Sequence, residues 1–328
     1  MSERVSWLSI RQKVAQVPKE IVHLPEIKLL SMRQIAFLLL LFWQATDVLQ
    51  AQLAPSNVYV FSIRQLSDST YSFVQPRYLT SFNARGYNNQ PYFFSNTELY
   101  LSVQTPGQSQ TDLYAFDLER RTKTRVTNTP EGEYSPARMP DYYSFSAVRQ
   151  EVVGRDTFLR LWQFPVDRLT NGRPVFKYLN GMGYYCWLNN REVALFKVGS
   201  PNTLVLANTD TDQETLLATN AGRCLHKMPN GNLAYVQKND FSPWTIMERN
   251  IFRRDAPAQR IVTTLPEIED FAVLPDGTLL AGKGSKIYKF NRFKDGEWEE
   301  VADLRYYNIR NIKRLAVSND YKIAIVTE

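Results

Sequence analysis

Histidine and cysteine are scarce: the chain has 328 residues and two of each. That excludes a cysteine-rich zinc module and leaves almost nothing for histidine-based catalysis. Signature motifs are missing too. There is no G-x-S-x-G elbow, no H-E-x-x-H pair and no phosphate-cradling glycine loop. Gly181-Met182-Gly183 lacks the third glycine and the helix that a dinucleotide site requires. The net charge of +6 has no long basic run behind it, which argues against a dedicated nucleic-acid binder. No amphipathic helix is legible after residue 52. The apolar run at 35–43 has nine residues, short of the roughly 20 that a membrane-spanning helix needs.

Nine apolar residues do fit the core of a secretory signal peptide. Met32-Arg33 supplies a start and a positive charge just before it, and small residues follow near Ala51. Cleavage is expected between Ala51 and Gln52. No cysteine follows the run, so a bacterial lipoprotein anchor is excluded. Residues 1–31 then form an over-extended N-terminal segment, 32–51 the signal peptide and 52–328 the mature domain. A long n-region starting at Met1 and an uncleaved anchor are the alternatives. The expected location is periplasmic or secreted.

What the chain does have is apolar and aromatic residues in strand-like runs. The hydrophobic fraction is 44% and the charged fraction 22%, so the chain is globular rather than disordered. Eighteen Tyr and eighteen Phe favour strands. One pattern recurs: apolar strand, Pro/Asn/Asp/Gly turn, apolar strand. Its turns begin at Ser95, Pro140, Asn189, Pro229, Pro275 and Ser318, at intervals of 45, 49, 40, 46 and 43 residues. In Pro229-Asn230-Gly231 and Pro275-Asp276-Gly277, Pro presets φ, Asn or Asp bonds its own backbone, and Gly accepts positive φ. Two further strand-like runs follow each hairpin. Four strands in 40–50 residues mark a β-propeller blade. The last copy has only two strands, and two spare segments stand at 58–63 and 71–80. The expected fold is therefore all-β: a six-bladed β-propeller of four-stranded antiparallel blades, the last closed by strands from the N-terminus. Such closure removes open edges.

The run Thr111-Asp112-Leu113-Tyr114-Ala115-Phe116-Asp117-Leu118, the strand ending in Val126-Thr127-Asn128-Thr129-Pro130 and the turn Leu274-Pro275-Asp276-Gly277 resemble the TolB-like (WD-like repeat) propellers of bacterial envelopes. The resemblance implies a periplasmic propeller that acts by protein–protein contact, with an envelope protein or peptide as partner. It brings no cofactor and no catalytic residue.

Candidate sites follow from the repeat register. The loops leading into the innermost strands bring Asn89, Gln90, Tyr134, Tyr184, Arg223, Glu269, Asp270 and Lys313 to one end of the channel. Tyr and Arg are good anchors for protein contacts. The alternative is that these residues only solvate the rim. His226 falls in a column with Tyr92, Ala137, Cys186, Ala272 and Leu315, which reads as a packed structural position. Cys186 and Cys224 share a face of neighbouring inner strands; a disulfide or two buried thiols both fit. Asp210-Thr211-Asp212 reads as a cation site or a turn, and the basic cluster at 120–125 as an acidic-partner patch or a solvated hairpin. Glu269 and Asp270 are the adjacent acidic pair that a carboxylate-dependent glycan enzyme could use, and a small-molecule sensor is a third reading.

Overall fold

The computed structural model describes residues 53–328 except 68, 69, 169 and 254. The expected leader, and the choice between Met1 and Met32, lie outside the described residues. Those described form six four-stranded antiparallel sheets. The first blade is β3 (Tyr87–Phe93), β4 (Glu98–Gln104), β5 (Asp112–Asp117) and β6 (Thr122–Arg125). The second is β7 (Gly132–Arg138), β8 (Ser144–Val153), β9 (Asp156–Pro165) and a two-residue β10 (Arg173–Pro174). The third is β11 (Met182–Trp187), β12 (Glu192–Lys197), β13 (Thr203–Asn208) and β14 (Glu214–Thr219). The fourth is β15 (Ala221–Lys227), β16 (Leu233–Gln237), β17 (Thr245–Arg249) and β18 (Gln259–Thr263). The fifth is β19 (Phe271–Val273), β20 (Leu279–Lys283), β21 (Lys286–Phe290) and β22 (Glu299–Asp303). In the sixth, β23 (Ile312–Val317) and β24 (Lys322–Thr327) join β1 (Asn57–Gln65) and β2 (Tyr71–Tyr78) from the other end of the chain. The latch is the antiparallel pairing of β1 with β24, from Asn57 opposite Thr327 to Ser62 opposite Lys322.

The core lies between blades, not within one sheet. Second strands are apolar on both faces, as in Leu99-Tyr100-Leu101, because each blade is covered on both sides. One apolar cluster fills each seam. Phe94, Tyr100, Phe145 and Phe164 join the first and second blades, with Phe94 stacked on Tyr100 at 3.7 Å. Phe61, Ile63, Leu280 and Ile312 join the fifth and sixth. Burying one such side chain stabilises by about 1.5–3 kcal/mol.

The repeated turns fold as their chemistry dictates. Gly277 has φ +87°, its N–H bonds Leu274 O at 2.8 Å, and the Asp276 carboxylate accepts from Thr278 N at 2.9 Å. In turns without glycine, a side chain takes over. Asp141 accepts from Tyr143 N and Ser144 N, both at 2.9 Å, and Asn189 accepts from Arg191 N at 2.9 Å. Nothing lies within 4 Å of a Cβ placed on Gly277 or on Gly296, but only Gly277 has positive φ. Gly277→Ala is therefore expected to cost about 1–2 kcal/mol from backbone strain alone, and Gly296→Ala almost nothing. Urea unfolding of the two variants checks this; equal costs would contradict it.

Candidate functional site

The six innermost strands line a cavity of about 470 Å³ on the ring axis. It runs from exposed residues of the first hairpin turns, Ser95, Asn96 and Asn319, inward to Gln90, Tyr184, Arg223, Asp270 and Arg314. Its walls carry Tyr92, Phe94, Tyr185, Trp187 and Leu225. Five inner strands shift register part-way along, for example between Asn89 and Tyr92 and between Ile312 and Arg314. A bulge of this kind bends the strand and re-aims its side chains. At two of them a non-glycine residue has positive φ: Gln90 at 55° and Ser135 at 53°.

Hydrogen bonds tie the inner strands together around the ring. The Gln90 side-chain oxygen accepts from Ser135 N at 2.9 Å, linking the first blade to the second. Tyr185 Oη donates to Ser135 O at 2.9 Å, linking the third to the second. Lys227 Nζ donates to Leu188 O at 2.6 Å, and Asp270 Oδ1 accepts from Leu315 N at 2.8 Å. One bond spans the bore itself. Arg314 Nη2, on the sixth blade, donates to Tyr184 Oη, on the third, at 3.2 Å. The Arg314 guanidinium also lies 5.1 Å from the Tyr184 ring centre and 3.9 Å from Asp270 Oδ2.

The electrostatics follow from this burial. Desolvation pushes the Asp270 carboxyl up to about 6, and Arg314, the Leu315 N–H and Arg223 offset it only in part. Burial works against Tyr184 ionising, but Arg314, Arg223 and a hydrogen bond from Gln90 combine to hold the phenol below its ordinary value. The cavity lining carries Arg138, Arg223, Lys227 and Arg314 against the single carboxylate of Asp270.

Gln90, Tyr184, Arg223 and Asp270 meet in one cavity, but at its inner end; the turn residues Ser95, Asn96 and Asn319 stand at its exposed end, the mouth expected of these four. Glu269, Tyr134 and Lys313 stand outside its lining. Glu269 is held by Arg223 N and, at 2.9 Å, by Lys238 Nζ. Tyr134 bonds Thr111, and Lys313 points outward to Glu328 at 3.3 Å. Arg314, next along the strand, takes the position expected of Lys313. Asn89 donates no side chain to the cavity; its Oδ1 accepts from Gln90 N at 2.7 Å. His226 lines the bore and packs on Phe271, with ring centres 5.0 Å apart and Nε2 donating to Phe271 O at 2.7 Å. Burial pushes its imidazole down to about 4. Cys186 and Cys224 line the same cavity as free thiols. Burial pushes Cys186 up to about 12, and Cys224 Sγ sits against Phe271 O and N at 3.2 and 3.3 Å.

The remaining candidates are committed to the protein itself. Asp210 pairs with Arg191 at 3.3 Å, and Asp212 accepts from Tyr178 N at 2.7 Å. Among the described residues, no three His, Cys, Asp or Glu side chains converge where a metal ion could sit. In the basic hairpin, Arg125 pairs with Asp112 at 2.6 Å and Lys123 lies over Phe82, while Arg120 is largely exposed. No helix among the described residues is long and apolar enough to cross a membrane.

No family model matches the chain, and no curated protein does. Solved structures do. The putative TolB from Agrobacterium tumefaciens is 12% identical with a TM-score of 0.59, covering 84% of this chain and 98% of that one. TolB from Acinetobacter baumannii is 12% identical with a TM-score of 0.51, covering 84% of this chain and 64% of that one. An oligogalacturonate lyase in complex with manganese is 14% identical with a TM-score of 0.52, covering 79% of this chain and 82% of that one. These likenesses define the fold: the chain is built as a six-bladed β-propeller of the TolB-like kind.

Proposed function

We propose that the chain is an exported, non-catalytic binding propeller that receives an envelope protein or peptide at the axial cavity. One observation carries this reading: a cavity with polar groups fixed in advance by interblade hydrogen bonds, walled by aromatic side chains. Fixing those groups beforehand lowers the ordering cost of binding. Aromatic and arginine side chains are the common anchors of such contacts. The similarity of fold to TolB proteins agrees with a partner of this kind.

The likeness to an oligogalacturonate lyase raises an enzymatic reading. Here the carboxylates are already engaged. Asp270 takes a backbone N–H and faces Arg314, and Glu269 is held on both oxygens. Neither is placed as a free acid or base.

The test is crosslinking and capture from native envelope fractions, with the wild type against Tyr184→Ala and Gln90→Ala. The bait recovered from the periplasm or medium is expected to begin near Gln52. It should bring down a defined partner that both variants lose and that Arg120→Ala keeps. Recovery of the protein alone, or a partner indifferent to Tyr184 and Gln90, overturns the reading.

A further inference from the structure

Three buried side-chain atoms without hydrogen-bond partners belong to residues of this one cavity: Arg223 Nε, Arg138 Nε and Ser135 Oγ. All three can donate a hydrogen bond. Arg223 stands out. Its backbone N–H is bound by Glu269, but its guanidinium has no hydrogen bond and no ion pair among the described residues. Arg314 is compensated by Asp270, Arg138 donates to Phe94 O at 3.2 Å, and Lys227 donates to Leu188 O at 2.6 Å. Among these cations Arg223 is the one whose side chain has no hydrogen bond or ion pair to the described residues, although its charge also acts on Asp270 and Tyr184. A buried donor left unmade is costly and calls for an explanation.

We infer that the cavity takes a carboxylate on an apolar or aromatic body, with the carboxylate against Arg223 and the body against Tyr92, Tyr185 and Trp187. This rests on the binding reading above and names the chemistry of the occupant. Guanidinium presents parallel N–H donors that match a carboxylate two-to-two, which a point charge does not. The volume, about 470 Å³, suits a small acid or the tip of a chain. The same group could arrive as a free acid or as the C-terminal carboxylate of a peptide.

Calorimetric titration separates these. The probes are 3-phenylpropionate against 3-phenylpropanamide, and acetyl-Ala-Ala-Phe as its acid against its amide. Each acid is expected to bind at least about tenfold tighter than its amide, since a charge-assisted hydrogen bond is worth that much. Arg223→Met should abolish the preference. Arg223→Lys should restore part of it, and Arg120→Met, at an exposed site, should leave it intact. Arg223→Met breaks no side-chain hydrogen bond seen among the described residues, and a cooperative melting transition shows that the variant is folded when its binding is measured. A peptide acid that binds at least tenfold tighter than phenylpropionate identifies a chain terminus as the source; equal affinities identify a free acid. Acids and amides that bind alike, or a preference that survives Arg223→Met, overturn the inference. If that happens while Tyr184→Ala still loses its captured partner, the binding-propeller reading stands and only the carboxylate falls.

Discussion

Replacing Arg149 by methionine is expected to destabilise the fold by about 3–5 kcal/mol at pH 7, the usual cost of removing one partner of a buried ion pair. Arg149 is 5% exposed and Glu133 fully buried. Arg149 Nε donates to Glu133 Oε1 at 3.1 Å, and Thr129 Oγ1 donates to the same oxygen at 2.5 Å. The guanidinium lies over Trp162, 4.0 Å from the ring centre. Burial already raises the Glu133 carboxyl above its ordinary value even with Thr129 and Arg149 in place. Without Arg149 the carboxylate must be buried bare or take up a proton. Glu133 is then expected to protonate, so the penalty should shrink as the pH falls toward 4. The double variant Glu133→Leu/Arg149→Met should recover much of the loss, because two apolar groups need no compensation. Urea unfolding at pH 7 and pH 4.5 gives all four values. A loss below about 1 kcal/mol for the single variant, or no recovery in the double, would show that the pair is not stabilising by charge compensation.

The second large effect is hidden in the wild type because two groups oppose each other. The His226 imidazole is pushed from its ordinary 6.5 down to about 4 by burial, and Arg314 adds to the shift. The unfolded chain takes up that proton first, so stability is lost as pH falls from 6.5 toward 4. Asp270 is pushed by burial from 3.8 up to about 6. There the folded chain takes up the proton first, so stability is gained as pH falls through 6 and lost again as it rises. Each contribution is about 3 kcal/mol, and across pH 4 to 6 they nearly cancel. His226→Gln should therefore gain stability relative to the wild type on acidification, and Asp270→Asn should lose it. Asp270→Asn also strips Arg314 of its counter-charge, so the change with pH is the quantity to compare, not the value at pH 7. Melting curves of the three proteins from pH 4.5 to 7 decide the matter: parallel pH profiles would refute both assignments.

The ring was legible in the sequence because its turns are chemical. Ser95, Pro140, Asn189, Pro229, Pro275 and Ser318 all fall between the first and second strands of a blade, including the four turns without a Pro-x-Gly pattern. Those four work because Ser95, Asp141, Asn189 and Ser318 supply the oxygen that the turn needs. The spare strands at the start of the chain close the sixth blade as their pattern implied. The cavity was only half legible. Counting inward from a turn assumes an unbroken two-residue alternation. The bulge between Ile312 and Arg314 breaks it, which sends Lys313 outward and brings Arg314 to the axis. Tyr134 stands beside a similar break, between itself and Ala137. No residue type announces a bulge in a single sequence. Of the His226 column, Tyr92, Ala137, Cys186, His226 and Leu315 line the bore, whereas Ala272 is buried in the seam between the fifth and sixth blades.

The bond between Arg314 and Tyr184 joins opposite walls of the ring. It bars the axial space at the level where those two side chains meet. A polypeptide could not be drawn through it without parting that contact, so traffic along the axis is confined to arrival and departure by the same door. For an occupant bound as proposed, entry is tip first, and the depth of penetration is set by where the guanidinium and the phenol meet.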